Sequence, residues 1–115
     1  MTSSVGASPA GTVMTGFSLM SSMSRFYESI LGMQLDEVQT LMEDLYGEAD
    51  RERGMPATVA WLCEELGELA QAARKGTKEQ QLHELGDVLA WLASLANQLD
   101  LSLDDAMARY RENPP

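Results

Sequence analysis

Two tetrapeptides carry the chemistry-bearing residues of this chain: Glu65-Leu66-Gly67-Glu68 and, nineteen positions on, Glu84-Leu85-Gly86-Asp87. Each places two acids three residues apart, which on a helix puts both side chains on neighbouring turns of one face. Glu64, four before Glu68, adds a third acid to the first group. Like charges at this spacing repel, and each mid-helix glycine costs roughly 1 kcal/mol relative to alanine. Two segments carrying the same pair of penalties at matching places point to one shared purpose. Glu65, Glu68, Glu84 and Asp87 each directly precede an apolar residue, Leu66, Leu69, Leu85 or Val88. The acids therefore flank an apolar stripe rather than lying opposite it. Four partly buried carboxylates are tolerable when neutralised, and a divalent cation does this directly.

The ligand type selects among metals. An all-oxygen set suits Mg²⁺, with Mn²⁺ as a substitute, over Zn²⁺. A di-iron carboxylate bundle needs Glu-x-x-His on two helices; the single histidine, His83, has Gln80 three residues before it, and that motif is missing. The competing interpretation is a solvated helix face, with Arg74, Lys75 and Lys78 balancing the acids.

The elements that must position these acids follow from the periodicity. Residues 1–23 carry no charged side chain, are rich in Ser, Gly, Thr and Met, and show neither helical nor strand period, so they are expected to form a flexible tail. The domain is expected over 24–115, with a short first helix over 24–31. A helix follows over about 35–53 with the stripe Leu35, Val38, Leu41, Leu45 and Ala49, until Gly54 and Pro56 break it. The next runs to about Lys75 on Val59, Leu62, Leu66, Leu69 and Ala73, with Pro56 suited to its first turn. Gly76 fits a helix C-terminus and Thr77 an N-cap. Leu82, Leu85, Leu89, Leu92, Ala96 and Leu99 then repeat the spacing, and Ser102 caps a last short helix with Asp104 and Asp105 in its first turn. With no strand signals and short links, the fold class is all-α, an antiparallel four-helix-type bundle. Antiparallel packing through Gly76-Thr77 would let the four carboxylates converge, with Gly67 and Gly86 admitting a close backbone approach.

Composition narrows the rest. At 115 residues the chain is one small domain, short enough that oligomerisation is expected. A net charge of −10 and a pI near 4.3 argue against a nucleic-acid polymer or an anionic membrane as partner. No stretch approaches the ~20 apolar residues of a membrane span. The N-terminus lacks the pattern of a secretory signal, so a cytoplasmic protein is expected. The lone Cys63 excludes an intramolecular disulfide and, within an apolar run, reads as a buried, inert thiol.

The paired motifs, together with Tyr46-Gly47-Glu48-Ala49-Asp50-Arg51 and the run from Asp87 to Leu92, resemble the MazG-like all-α nucleoside triphosphate pyrophosphohydrolases over roughly residues 34–113. The resemblance implies Mg²⁺ ligation by Glu65, Glu68, Glu84 and Asp87, with Glu64 a further ligand or the base that activates water. It implies attack at the α-phosphorus of a nucleoside triphosphate with release of pyrophosphate, from a homodimer or a dimer of dimers. Among substrate-binding candidates, Trp61 lies four before Glu65 and Trp91 four after Asp87, each placed to stack on a base or to serve as a core or interface aromatic. Lys75, Lys78 and Arg109 are candidate phosphate contacts, and Asn113 sits where some relatives use a polar residue near the nucleotide. The alternatives left open are a non-catalytic interaction bundle and an enzyme acting on a phosphoribosylated nucleotide.

Overall fold

The computed structural model describes residues 32–115 and Met23. The expected tail over 1–23 and short helix over 24–31 otherwise lie outside the described residues. Four helices follow in order: α1 (Leu35–Arg53), α2 (Met55–Lys75), α3 (Lys78–Gln98) and α4 (Leu103–Glu112). Among the described residues there is no strand, and no helix is long and apolar enough to cross a membrane.

The local signals for starts and stops act as the chemistry of their residues requires. Gly54 separates α1 from α2 at φ 88, a left-handed value open to glycine, and Pro56 occupies the first turn of α2. Thr77 and Gln80 form a complete capping box at the start of α3, with Thr77 Oγ1 accepting from the Gln80 N–H at 3.1 Å and Gln80 Oε1 from the Thr77 N–H at 2.9 Å. Ser102 Oγ accepts from the Asp105 N–H at the start of α4. Gly76 is needed for a different reason from the expected one. Its φ of −90 is not left-handed, but a Cβ there would stand 2.8 Å from the Ala72 carbonyl oxygen and 2.9 Å from its Cα.

Helices α2 and α3 are joined by Gly76 and Thr77 alone, so two rods of this length can lie side by side only if antiparallel. Gln81 Nε2 ties them across the turn by donating to the Ala72 carbonyl at 3.0 Å. Helix α1 packs mainly on α3, and Gln39 fastens its start. The Gln39 amide donates to Asn97 Oδ1 and the Leu101 carbonyl, and its oxygen accepts from the Leu103 N–H.

Which face points inward departs from the periodicity. The buried positions are small or polar: Gly47 and Asp50 on α1, Thr58 and Ala72 on α2, and Ala93, Ser94 and Ala96 on α3. Most of the leucines expected in the core lie outside it, with Leu82 73 % and Leu85 55 % exposed and Leu41, Leu45, Leu66, Leu89, Leu92 and Leu99 also open. Small side chains let the helices approach closely, and the inward stripe of α2 runs through Thr58, Leu62, Glu65, Leu69 and Ala72. The leucines of α3 occupy a second stripe with alternating three- and four-residue spacing, the pattern of a helix–helix seam. The acids therefore lie on the seam within the chain, while the leucines face away from it.

Candidate metal and nucleotide site

The antiparallel turn sets residues equidistant from Gly76 opposite each other: Glu68 against Glu84, Glu65 against Asp87, and Trp61 against Trp91. Carboxylate oxygens of Glu65, Glu68 and Glu84 lie within 4.8 Å of one another, and Glu84, Asp87 and His83 form a second group of the same reach. Oε2 of Glu65 and Oε2 of Glu84 are buried without a hydrogen-bond partner. Among the described residues no Lys or Arg forms a salt bridge with any of the four acids; Asp87 pairs with His83 Nε2 at 3.2 Å.

The electrostatics match this geometry. Burial, followed by the charge of Glu68 and then those of Asp87 and Glu84, raises the Glu65 carboxyl above the ordinary glutamate range. Burial and the neighbouring Glu68 also raise Glu84, with Asp87 adding to the shift and His83 opposing it. An acid whose charged form is penalised by both desolvation and like charges is stabilised by a counter-charge delivered to that spot. Oxygen-only ligands with orphaned buried atoms fit a hard divalent cation.

Two cavities flank the cluster. One, of about 480 Å³ beside the Gly76 turn, is lined by Glu68 and Glu84 together with Gln71, Lys75 and Gln80. The other, of about 280 Å³, lies on the Asp87 side and is walled by Tyr46, Asp50, Arg53, Trp91 and Ser94. Trp91 stacks on Trp61 with ring centroids 5.9 Å apart and planes 12° from parallel, and the Arg53 guanidinium lies 4.9 Å from the Trp91 ring centroid. Each cavity holds one cation beside two carboxylates, Lys75 with Glu68 and Glu84 in the first and Arg53 with Asp50 and Asp87 in the second; only the second has aromatic walls, Tyr46 and Trp91.

The expected site residues divide accordingly. Glu65, Glu68, Glu84 and Asp87 converge, Lys75 lines the polar cavity and Trp91 the aromatic one, and Trp61 touches the latter only through Trp91. Glu64 is exposed and belongs to neither acidic group. Arg109 donates to Tyr110 Oη at 3.1 Å and Asn113 ends α4; neither lines either cavity. Lys78 is exposed on the first turn of α3 and lines neither cavity.

Two local expectations are corrected, and one pair of residues was missed. A Cβ on Gly67 or Gly86 would meet nothing within 4 Å, because both glycines sit two positions past an inward acid and so face away from the seam. Cys63 is exposed, being two positions before the inward Glu65. Asp50 and Arg53 were not anticipated as site residues, although their i,i+3 acid–base spacing at the end of α1 was a usable signal.

Comparison with known proteins places these features in a family. The model of the MazG nucleotide pyrophosphohydrolase domain matches residues 53–112, which include all four converging acids. The uncharacterized protein YvdC of Bacillus subtilis (strain 168) is 31% identical over 97 residues, covering 70% of this chain and 92% of that protein. The uncharacterized protein YpjD of the same organism is 38% identical over 86 residues, covering 59% of this chain and 78% of its own length.

Proposed function

The chain belongs to the MazG nucleotide pyrophosphohydrolase family, and on that premise we propose that it hydrolyses nucleoside or deoxynucleoside triphosphates to the monophosphate and pyrophosphate with Mg²⁺, Mn²⁺ serving as a substitute. The supporting observation is a group of four carboxylates, none in a salt bridge with Lys or Arg, set between a polar cavity that includes Lys75 and one walled by Tyr46 and Trp91. Glu65, Glu68, Glu84 and Asp87 are the proposed ligands. A bound divalent cation would offset the charge of the triphosphate and lower the pKa of the attacking water.

The two cavities suggest a direction for the substrate. The base enters beside Trp91, where aromatic stacking is tolerant of base identity. The β- and γ-phosphates extend toward Lys75, whose ammonium meets the charge of the departing pyrophosphate, with the amides of Gln71 and Gln80 as hydrogen-bond donors. The α-phosphorus then lies at the carboxylates. Glu64, solvent-facing and four residues before Glu68, is the proposed acceptor of the water proton.

The exposed leucine stripes support a homodimer, or a dimer of dimers, as the working form. With Ala72, Ala93 and Ala96 the buried apolar residues among those described, their burial contributes little, and a second copy laid on the leucines of α3 would complete a four-helix bundle. The proposed role is removal of surplus or non-standard nucleotides from the cytoplasmic pool. The test is a panel of ribo- and deoxyribonucleoside triphosphates incubated with Mg²⁺, with pyrophosphate and orthophosphate quantified separately. Pyrophosphate is expected; folded protein that turns over no triphosphate with Mg²⁺ or Mn²⁺ would leave the interaction bundle or the phosphoribosyl-nucleotide enzyme in its place.

A further inference from the structure

Asp50 is the most deeply buried acid among the described residues, with 3 % of its surface exposed. Its Oδ1 accepts from Arg53 Nη1 at 2.7 Å, and its backbone carbonyl accepts from Gln98 Nε2. Its Oδ2 has no hydrogen-bond partner, yet the residue lines the aromatic cavity that adjoins Asp87. A carboxylate that served only to anchor Arg53 would satisfy its second oxygen or leave it in water, since a buried acceptor left unmade is destabilising. An ionised carboxylate can only accept. The cavity therefore presents this held acceptor, with Asp87, Tyr46 and Ser94 also on its wall, to whatever fills it.

The cavity, at about 280 Å³, falls just under the ~300–1,000 Å³ of pockets that enclose a whole drug-sized ligand, so it takes one moiety of a nucleotide. That moiety is the base. A phosphate here would meet the like charges of Asp50 and Asp87, with the Arg53 guanidinium already held by Asp50 Oδ1, whereas a base amino group supplies the missing donor. We propose that Asp50 selects the nucleobase: its free Oδ2 accepts from the amino group of cytosine or adenine and so favours their nucleotides over those of uracil, thymine and guanine. Where cytosine and adenine carry an amino group, uracil, thymine and guanine carry a carbonyl oxygen, which would face the carboxylate acceptor to acceptor. Arg53 holds Oδ1 and keeps the acid oriented, and its own place over Trp91 ties the pair to the cavity wall. The proposal rests on the nucleotide reaction inferred above.

The test uses the full chain with Mg²⁺ and compares kcat/KM for dCTP, dATP, dGTP, dTTP and dUTP. Wild-type protein is expected to favour dCTP and dATP over dUTP, dTTP and dGTP by about tenfold or more, the scale of a buried acceptor left unpaired. In Asp50→Asn, Arg53 retains the amide oxygen and the NH₂ takes the place of Oδ2. That variant is expected to lose the preference and to gain on dUTP and dTTP. A second readout needs no turnover: quenching of tryptophan fluorescence by dCMP against dUMP, measured in EDTA. Selective dCMP binding that Asp50→Asn abolishes, without hydrolysis of any triphosphate, would support the base assignment while removing the proposed reaction. Equal kcat/KM for dCTP and dUTP in wild type, or an unchanged preference in folded Asp50→Asn, would overturn the base assignment and leave the reaction standing.

Discussion

Replacing Glu84 with glutamine should move stability in one direction without a divalent cation and in the other with one. Oε2 of Glu84 is buried and unpartnered, and Glu68 and Asp87 add negative charge around it. Glutamine keeps the shape and removes one charge from a repelling group, so in EDTA the variant should melt at the same temperature as wild type or higher. With Mg²⁺ the wild type gains a linkage term of about 2.7 kcal/mol at a hundred times Kd. For a domain of this size each kcal/mol corresponds to about 4–8 °C, giving a rise of about 10–20 °C. A ligand loss that weakens binding a hundredfold brings the same Mg²⁺ concentration to Kd, where the gain is about 0.4 kcal/mol, a shift of about 2–3 °C. Thermal melts followed by circular dichroism, each protein in EDTA and in Mg²⁺, measure both effects. A full Mg²⁺ shift in Glu84→Gln, or a variant clearly less stable than wild type in EDTA, would refute the assignment of this carboxylate to a cation.

Three other outcomes follow from the same geometry. Because the folded state raises the Glu65 carboxyl, it holds that proton more tightly than the unfolded chain does. The associated stability is present below the ordinary glutamate value of about 4.3 and is lost as pH rises through the raised value. In EDTA, then, Glu65→Gln should exceed wild type in denaturant midpoint near neutral pH, with the gap closing by about pH 4. Gly76→Ala drives a Cβ into the Ala72 backbone and should cost about 1–3 kcal/mol in urea unfolding, whereas Gly67→Ala, with open space around it, should stabilise by up to about 1 kcal/mol. Leu85→Glu, exposed in the single chain, should leave helical content intact but halve the mass seen by sedimentation equilibrium; an unchanged assembly would remove α3 from the interface.

The helices and their ends were legible because local chemistry decides them. Thr77 with Gln80, Ser102 with Asp105, and Gly54 before Pro56 act through partners a few residues away. The pairing of the acids was legible as well, since a two-residue link leaves α2 and α3 one way to pack. The inward face was not. Hydrophobic periodicity locates the apolar stripe, but here Leu82, Leu85, Leu89 and Leu92 of that stripe are exposed while Thr58, Ala72, Ala93 and Ser94 are buried. Gly67 and Gly86 were assigned a packing role by analogy with close helix contacts, yet their faces point away. Asp50 was hidden for a related reason: it lies one position past Ala49 of the apolar stripe, where a surface acid is the ordinary expectation, and only the tertiary packing of α1 on α3 buries it.

The most direct test of the central claim is the site of bond cleavage. Hydrolysis of a nucleoside triphosphate in H₂¹⁸O with Mg²⁺, followed by mass spectrometry of the products, reports which phosphorus the water attacks. Attack at the α-phosphorus predicts one ¹⁸O in the nucleoside monophosphate and none in the pyrophosphate. Label in pyrophosphate, or a nucleoside diphosphate with labelled orthophosphate, would contradict it.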